Sequence, residues 1–173
     1  SCIGNNKVEV LDSLINTKSG IVFSEDHKKY NFRSQVVGSI KNLNLDEHID
    51  RKQKRFMGGG SAYNFISLKE AIKESGLEEK DISNEKTGII MGSGGPSIKN
   101  VVYAVDTTRK FAPKKMGPYI VPRTMASTCS ATLAVPFKIK GVNYSISSAC
   151  ATSGHCIGNG MELIQSGKQD IIF

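Results

Sequence analysis

A cysteine set among small residues, Ser147-Ser148-Ala149-Cys150-Ala151-Thr152-Ser153-Gly154, follows the extended run Val142-Asn143-Tyr144-Ser145-Ile146 and precedes a segment with helical spacing. A thiol at such a strand-to-helix turn is placed for nucleophilic catalysis. The strand carries it to the sheet edge, and the helix that starts there turns the unpaired N–H groups of its first turn toward the sulfur. A free thiol titrates near about 8.5, helix N-termini lower that value, and the thiolate is the attacking species. Free cysteines are otherwise most often small buried hydrophobes, so the flanking pattern has to separate the two readings.

Counted from Cys150, the residues Gly154, Ile157, Met161 and Ile164 form one apolar stripe at helical spacing, which predicts a helix with a buried face running down from the thiol. Gly154, Gly158 and Gly160 lie inside that helix. Each costs about 1 kcal/mol relative to alanine, so close packing of another backbone is expected to compensate.

Other elements must hold this turn in place. Thr87-Gly88-Ile89-Ile90-Met91 is a short apolar run bounded by turn formers and reads as a buried parallel strand. It empties into Gly92-Ser93-Gly94-Gly95-Pro96, which lacks the GxGxxG spacing and the Lys-Ser/Thr pair of phosphate loops. A closely approaching backbone or a pocket wall accounts for those glycines better than phosphate does. Asn6 and Glu9 are spaced as a capping box for a short surface helix that continues to Lys18-Ser19-Gly20. Ile21-Val22-Phe23 and Val36-Val37-Gly38 are brief extended pieces. Ala62, Phe65, Leu68, Ala71 and Ile72 predict an amphipathic helix ending at Gly76. Val101, Val102 and Val105 suggest a short helix, residues 110–122 a loop, and residues 126–138 a small apolar helix with Pro136 at its end. Asp170-Ile171-Ile172-Phe173 begins a further strand. Alternation of helix and strand gives an α/β fold with a largely parallel sheet.

The composition, 39% hydrophobic and 23% charged over 173 residues, is that of a soluble globular chain with room for a sizeable core. It holds no apolar stretch of the roughly 20 residues needed to span a bilayer, and no secretory leader is expected at Ser1-Cys2-Ile3-Gly4. Cys2, Cys129, Cys150 and Cys156 show neither CxxC nor metal-ligand spacing, which suits reduced thiols of a cytoplasmic protein. The net charge of +7 points to an acidic partner. Its densest sources are Arg51-Lys52-Gln53-Lys54-Arg55 and Arg109-Lys110 with Lys114-Lys115. Neither cluster is interleaved with aromatics, so nucleic acid is disfavoured as that partner.

The stretch from Gly141 to Asn159 resembles the active-site segment of the bacterial beta-ketoacyl-acyl-carrier-protein synthase I family. The resemblance extends over the whole chain, through Ser1 to Asn6, Asp50-Arg51-Lys52, Arg55-Phe56-Met57, Gly117-Pro118-Tyr119 and Pro136-Phe137-Lys138. It implies a thiolase-like αβαβα layered fold in a homodimer, with residues 1–173 as the N-terminal half, truncated at both ends and missing its first strand. It also implies that Cys150 accepts a fatty acyl group from acyl carrier protein and that malonyl-carrier protein then decarboxylates and condenses with it. Both are thioesters on a phosphopantetheine arm that arrives with the carrier, so no resident cofactor or metal and no membrane or nucleic-acid partner is expected. By the same resemblance Gly95 and Met125 line the acyl pocket, Met125 across the dimer interface, and Arg51, Lys52, Arg55 and Lys114 dock the acidic carrier. Two histidines and a lysine belong to the other half of such enzymes, and His27, His48 and His155 match none of them. Two departures stand out: Gly154 and Gly160 replace alanines, and a short deletion falls between Gly92 and Gly117. The alternatives are a non-catalytic partner subunit of the chain-length-factor type, which lacks the nucleophilic cysteine, and a cysteine hydrolase, for which no general-base histidine is evident.

Overall fold

Asn6 starts the first helix, α1 (Lys7–Ile15), by accepting hydrogen bonds from the Val8 and Glu9 N–H groups through its side chain. Glu9 reciprocates one residue further back than a capping box requires, accepting from the Asn5 N–H at 2.8 Å. The two extended pieces are strands β1 (Ile21–Phe23) and β2 (Val36–Gly38), paired antiparallel with Ile21 opposite Gly38 and Phe23 opposite Val36. Between them a one-turn helix, α2 (Glu25–Lys29), forms because Ser24 caps it through the His27 N–H. The computed structural model describes residues 1–173, and these elements lie in the first of two units, Ser1–Leu45 and Asp46–Phe173.

The second unit carries the chemistry-bearing residues. Its helical lead-in comprises α3 (Leu45–His48), α4 (Arg51–Lys54), α5 (Gly59–Ser75) and α6 (Glu79–Ile82). Asp50 caps α4, its carboxylate accepting from the Lys52 N–H at 2.7 Å. α5 buries Ser61, Ala62, Phe65 and Leu68 and ends where Gly76 turns left-handed at φ 70°, a conformation glycine adopts without a Cβ clash.

Strand β3 (Thr87–Ile90) is buried at every position. Its neighbours β4 (Asn143–Tyr144) and β5 (Ile171–Ile172) both run parallel to it, in the order β4-β3-β5. Parallel neighbours require crossovers. From β3 to β4 the chain passes through α7 (Ile98–Lys110), a 3-10 turn (Pro113–Met116), α8 (Ile120–Thr124) and α9 (Thr128–Ala134). From β4 to β5 it passes through a 3-10 turn (Ala149–Ala151) and α10 (Thr152–Gln165). α9 packs on β3 and β4 and against α5, whereas α10 packs on β3 and β5. Alternation along β3 puts Ile89 and Ile90 on opposite faces of the sheet, one toward each helical layer. Ile89 and Leu133 of α9 are wholly buried, and the Phe65 and Phe137 rings meet at 5.1 Å. At the start of the sheet the buried Gln169 side chain accepts from the Val142 N–H and donates to the Glu85 carbonyl, tying the strands together.

Three expectations need correction. Residues 110–122 are not a plain loop: they hold the 3-10 turn and the start of α8, which is tied from outside by the Arg123 Nε–H donating to the Arg55 carbonyl at 2.7 Å. The apolar stripe of α10 exists, but Ile157, Met161 and Ile164 are 74%, 54% and 43% exposed. Only Thr152 and Gly160 of that helix are buried: the stripe lines an open groove of about 390 Å³ beside Ile90 of β3 and Ile172 of β5, and no layer of this chain closes over it. The glycines of α10 do not admit another backbone either. Gly154 and Gly158 face open space, and Gly160 sits against the Ile172 side chain, 3.1 Å from where a Cβ would be.

Candidate functional site

The carboxyl ends of adjacent parallel strands form a crevice, and two segments meet there: the glycine loop after β3 and the turn after β4. Their approach is close. A Cβ on Gly92 would run into the Ile146 carbonyl oxygen and come within 2.7 Å of the Thr152 methyl, and one on Gly94 would lie 2.9 Å from the Ala149 carbonyl oxygen. The loop is therefore a backbone bed for the cysteine turn, as its glycines led us to expect.

Cys150 lies in the 3-10 turn, two residues before α10, with its side chain exposed. The residue before it, Ala149, has φ 45°, a left-handed conformation that costs a non-glycine residue on the order of 1 kcal/mol and persists only where surroundings enforce it. The enforcement is visible. The Thr152 hydroxyl accepts from the Ser148 N–H at 2.9 Å and donates to the Ala149 carbonyl at 2.8 Å. Upstream, the Ser145 hydroxyl accepts from the Ser130 N–H at 3.1 Å and donates to the Ser127 carbonyl at 3.0 Å, fixing the β4 exit to the start of α9. The backbone bonds of the turn engage Ala151 and Thr152, and the Cys150 N–H points to no acceptor of the chain.

The other cysteines stand apart from this geometry. Cys129 is buried against the Ser61 hydroxyl at 3.6 Å. Burial pushes the Cys156 thiol up, and Cys129 adds to that rise, against a partial lowering by the Ile146 backbone. His155 is exposed on α10, and its carbonyl accepts from Asn159. His27 is stacked on Phe32 in the first unit. No three His, Cys, Asp or Glu side chains converge as a metal site.

Gly95 borders the same loop with nothing within 4 Å of its Cβ position, so the space beside it is open. Met125 lies elsewhere, half exposed in a separate groove of about 570 Å³ with Lys52, Phe56, Ala131, Val135 and Pro136. Neither Cys150 nor Gly95 lines that groove. Arg51, Lys52, Arg55 and Lys114 are all exposed. Arg55 is held rather than loose: its guanidinium stacks 5.0 Å from the Phe56 ring and 4.9 Å from the Tyr119 ring. Lys54, within the same run, is committed to Asp46 at 2.8 Å.

Sequence reasoning passed over Ala149, Thr152 and Ser145. The only available signal was the density of hydroxyl and small residues between Ser145 and Ser153, which marks a turn but not its bonding.

The family model described as "Beta-ketoacyl synthase, N-terminal domain" matches residues 1–173. The chain is 55% identical over 174 residues to the 3-oxoacyl-[acyl-carrier-protein] synthase 1 of Haemophilus influenzae, covering 100% of this chain and 43% of that protein. Among solved structures it is similar to a beta-ketoacyl synthase from Burkholderia phymatum, with a TM-score of 0.82 at 21% identity, over 98% of this chain and 42% of that one. It is similar too to a type II polyketide ketosynthase solved in complex with its acyl-carrier protein, with a TM-score of 0.72 at 15% identity, over 97% and 44% of the two chains. These structures share the thiolase-like α/β architecture.

Proposed function

The chain belongs to the beta-ketoacyl synthase family, whose N-terminal domain it carries, and on that premise we propose that it contributes the acyl-accepting nucleophile of a fatty-acid-elongating ketosynthase. The observation that carries this reading is the exposed Cys150 on a strained turn at the carboxyl edge of the sheet. The Cys150 thiolate attacks the thioester carbonyl of an acyl-carrier protein, the carrier's thiol leaves with a proton, and a thioester on Cys150 results. The free Cys150 N–H donates to the oxyanion that develops at the carbonyl oxygen. Malonyl-carrier protein then loses carbon dioxide, and the resulting carbanion attacks the Cys150 thioester, forming the carbon–carbon bond and releasing the thiol. The groups that drive decarboxylation come from the rest of the complete protein, since this chain spans 43% of its relative's length and none of its histidines hydrogen-bonds to the turn.

Gly95, with open space at its Cβ position, leaves room for the acyl chain. Met125, on its separate groove, reaches the pocket of a second copy across a dimer interface. A non-catalytic partner subunit has no use for an exposed thiol so positioned, so the enzymatic reading prevails.

Arg51, Lys52, Arg55 and Lys114 present positive charge to the acidic carrier, with Arg55 preorganised by its two rings. Charge reversal at Arg51 and Lys52 together is expected to raise the carrier-protein KM about tenfold with kcat little changed, and the effect shrinks as salt screens the field. Steady-state kinetics at two ionic strengths check this.

The function itself is tested with the complete gene product, an acyl-carrier protein and malonyl-carrier protein. Stoichiometric release of carbon dioxide with a beta-ketoacyl-carrier product supports the reading; thioester hydrolysis to free fatty acid without condensation would replace it with a hydrolase.

A further inference from the structure

We propose that Thr152 is a positioning residue for the nucleophile, its hydroxyl holding Ala149 in the left-handed conformation that aims Cys150. The inference rests on the assignment of Cys150 made above. It names a residue which neither touches the reacting atoms nor carries charge. Three independent observations converge on it.

The first is hydrogen bonding. One hydroxyl spans the turn, accepting from the Ser148 N–H on one side of Ala149 and donating to the Ala149 carbonyl on the other. Donor and acceptor roles are both used, so the group is fully satisfied in its buried position. The second is strain. Ala149 at φ 45° would relax toward an ordinary conformation unless its neighbours were pinned, and that relaxation would swing the next residue, Cys150. The third is steric. Gly92 admits the Thr152 methyl and Gly94 admits the Ala149 carbonyl, so the loop after β3 closes the side that the hydroxyl leaves open.

The bonding has a consequence for the thiol. With the Ala149 carbonyl drawn onto Thr152 and onto the Thr152 N–H, it faces α10 and not the sulfur. The Cys150 N–H is left without an acceptor in the chain and free for an incoming carbonyl oxygen. Loss of the hydroxyl removes its bonds to the Ser148 N–H and to the Ala149 carbonyl at once, leaving only the Thr152 N–H on that carbonyl. Catalytic geometry is intolerant of such shifts, a displacement of about 1 Å being enough to cost a hundredfold in rate.

Side-chain shape and hydroxyl bonding can be separated here. Thr152→Val keeps the branched shape and loses the bonds, while Thr152→Ser keeps the bonds and loses the methyl. In the complete protein the rate constant for alkylation of Cys150 by iodoacetamide, followed by peptide mass spectrometry across pH, reads the thiol without any carrier. Single-turnover acylation by an acyl-carrier protein reads the reaction. Thr152→Val is expected to slow both by about tenfold with carrier affinity unchanged, and Thr152→Ser to stay within about twofold of wild type. Should the valine variant not fold, Thr152→Ala compared with Thr152→Ser reads the same hydroxyl. A valine variant at wild-type rates, or a serine variant as slow as valine, would overturn the proposal, since either ordering is that of packing alone. Acyl transfer to a residue other than Cys150 would remove the reading underneath, and the alkylation series would still decide whether Thr152 aims the thiol.

Discussion

Cys150→Ser is expected to lower acyl transfer by about a thousandfold or more while leaving the fold intact. The two halves of that expectation have different physical origins. A serine hydroxyl is a far weaker nucleophile than a thiolate at neutral pH, and the side-chain bonds of this turn come from the Thr152 hydroxyl, which is no general base. The side chain is exposed, so exchanging sulfur for oxygen neither opens a cavity nor buries an unpaired polar atom. Substitutions of that kind stay within about 0.5 kcal/mol. Single-turnover acylation and urea denaturation of the same preparation measure both quantities.

The second large effect lies at Gly92. A methyl group there would occupy the position of the Ile146 carbonyl oxygen and press on the Thr152 methyl at 2.7 Å, and neither is the free end of a flexible side chain. Either β4's exit or the β3 loop must move. Overpacking of this kind costs about 1–3 kcal/mol or more, and here the strained Ala149 turn shares the displaced backbone. Gly92→Ala is therefore expected to destabilise the protein by about 3 kcal/mol and to lower Cys150 alkylation with it. Gly95→Ala supplies the contrast. Its Cβ meets nothing, so stability should hold while acceptance of long acyl chains falls. Denaturation curves paired with an acyl-length series distinguish the two glycines, and equal stability of Gly92→Ala and wild type would show that the loop does not bed the turn.

These glycines also show how far the sequence speaks for itself. A run of three glycines and a proline after an apolar strand announces close approach of something, because nothing else compensates for the missing side chains. The identity of what approaches, the Ile146 and Ala149 backbone, depends on β4 lying beside β3, a pairing no local pattern encodes. β3 was legible because its burial on both faces leaves a continuous apolar run, and α5 because its 3.6-residue period ends on Gly76. α8 was not. Ile120-Val121-Pro122-Arg123-Thr124 is rich in β-branched residues and proline, and its helix depends on outside ties such as Arg123 to the Arg55 carbonyl.

The stripe on α10 was read correctly as a pattern and wrongly as a buried face. Periodicity reports that a helix has an apolar side, whereas burial also needs a layer over that side, and within this chain Ile90 of β3 and Ile172 of β5 only border the groove that the stripe lines, leaving it open. The cysteine itself was legible from its flanks. Its two supports, the Ala149 conformation and the Thr152 hydroxyl, were not, because a hydroxyl four residues from its donor can cap, bridge or face solvent with equal sequence cost.

The most direct test of the central claim is to locate the acyl group. The complete protein is incubated with an acyl-carrier protein alone, quenched with acid and digested with trypsin. Cleavage after Lys140 and Lys168 yields a peptide holding both Cys150 and Cys156, so fragment-ion sequencing must assign the added mass. The turn geometry predicts one acyl group, on the exposed Cys150, with Cys156, half-buried on α10 and its thiol pushed up by burial, unmodified. Acyl mass on Cys156, Cys129 or Cys2 with Cys150 free would contradict it.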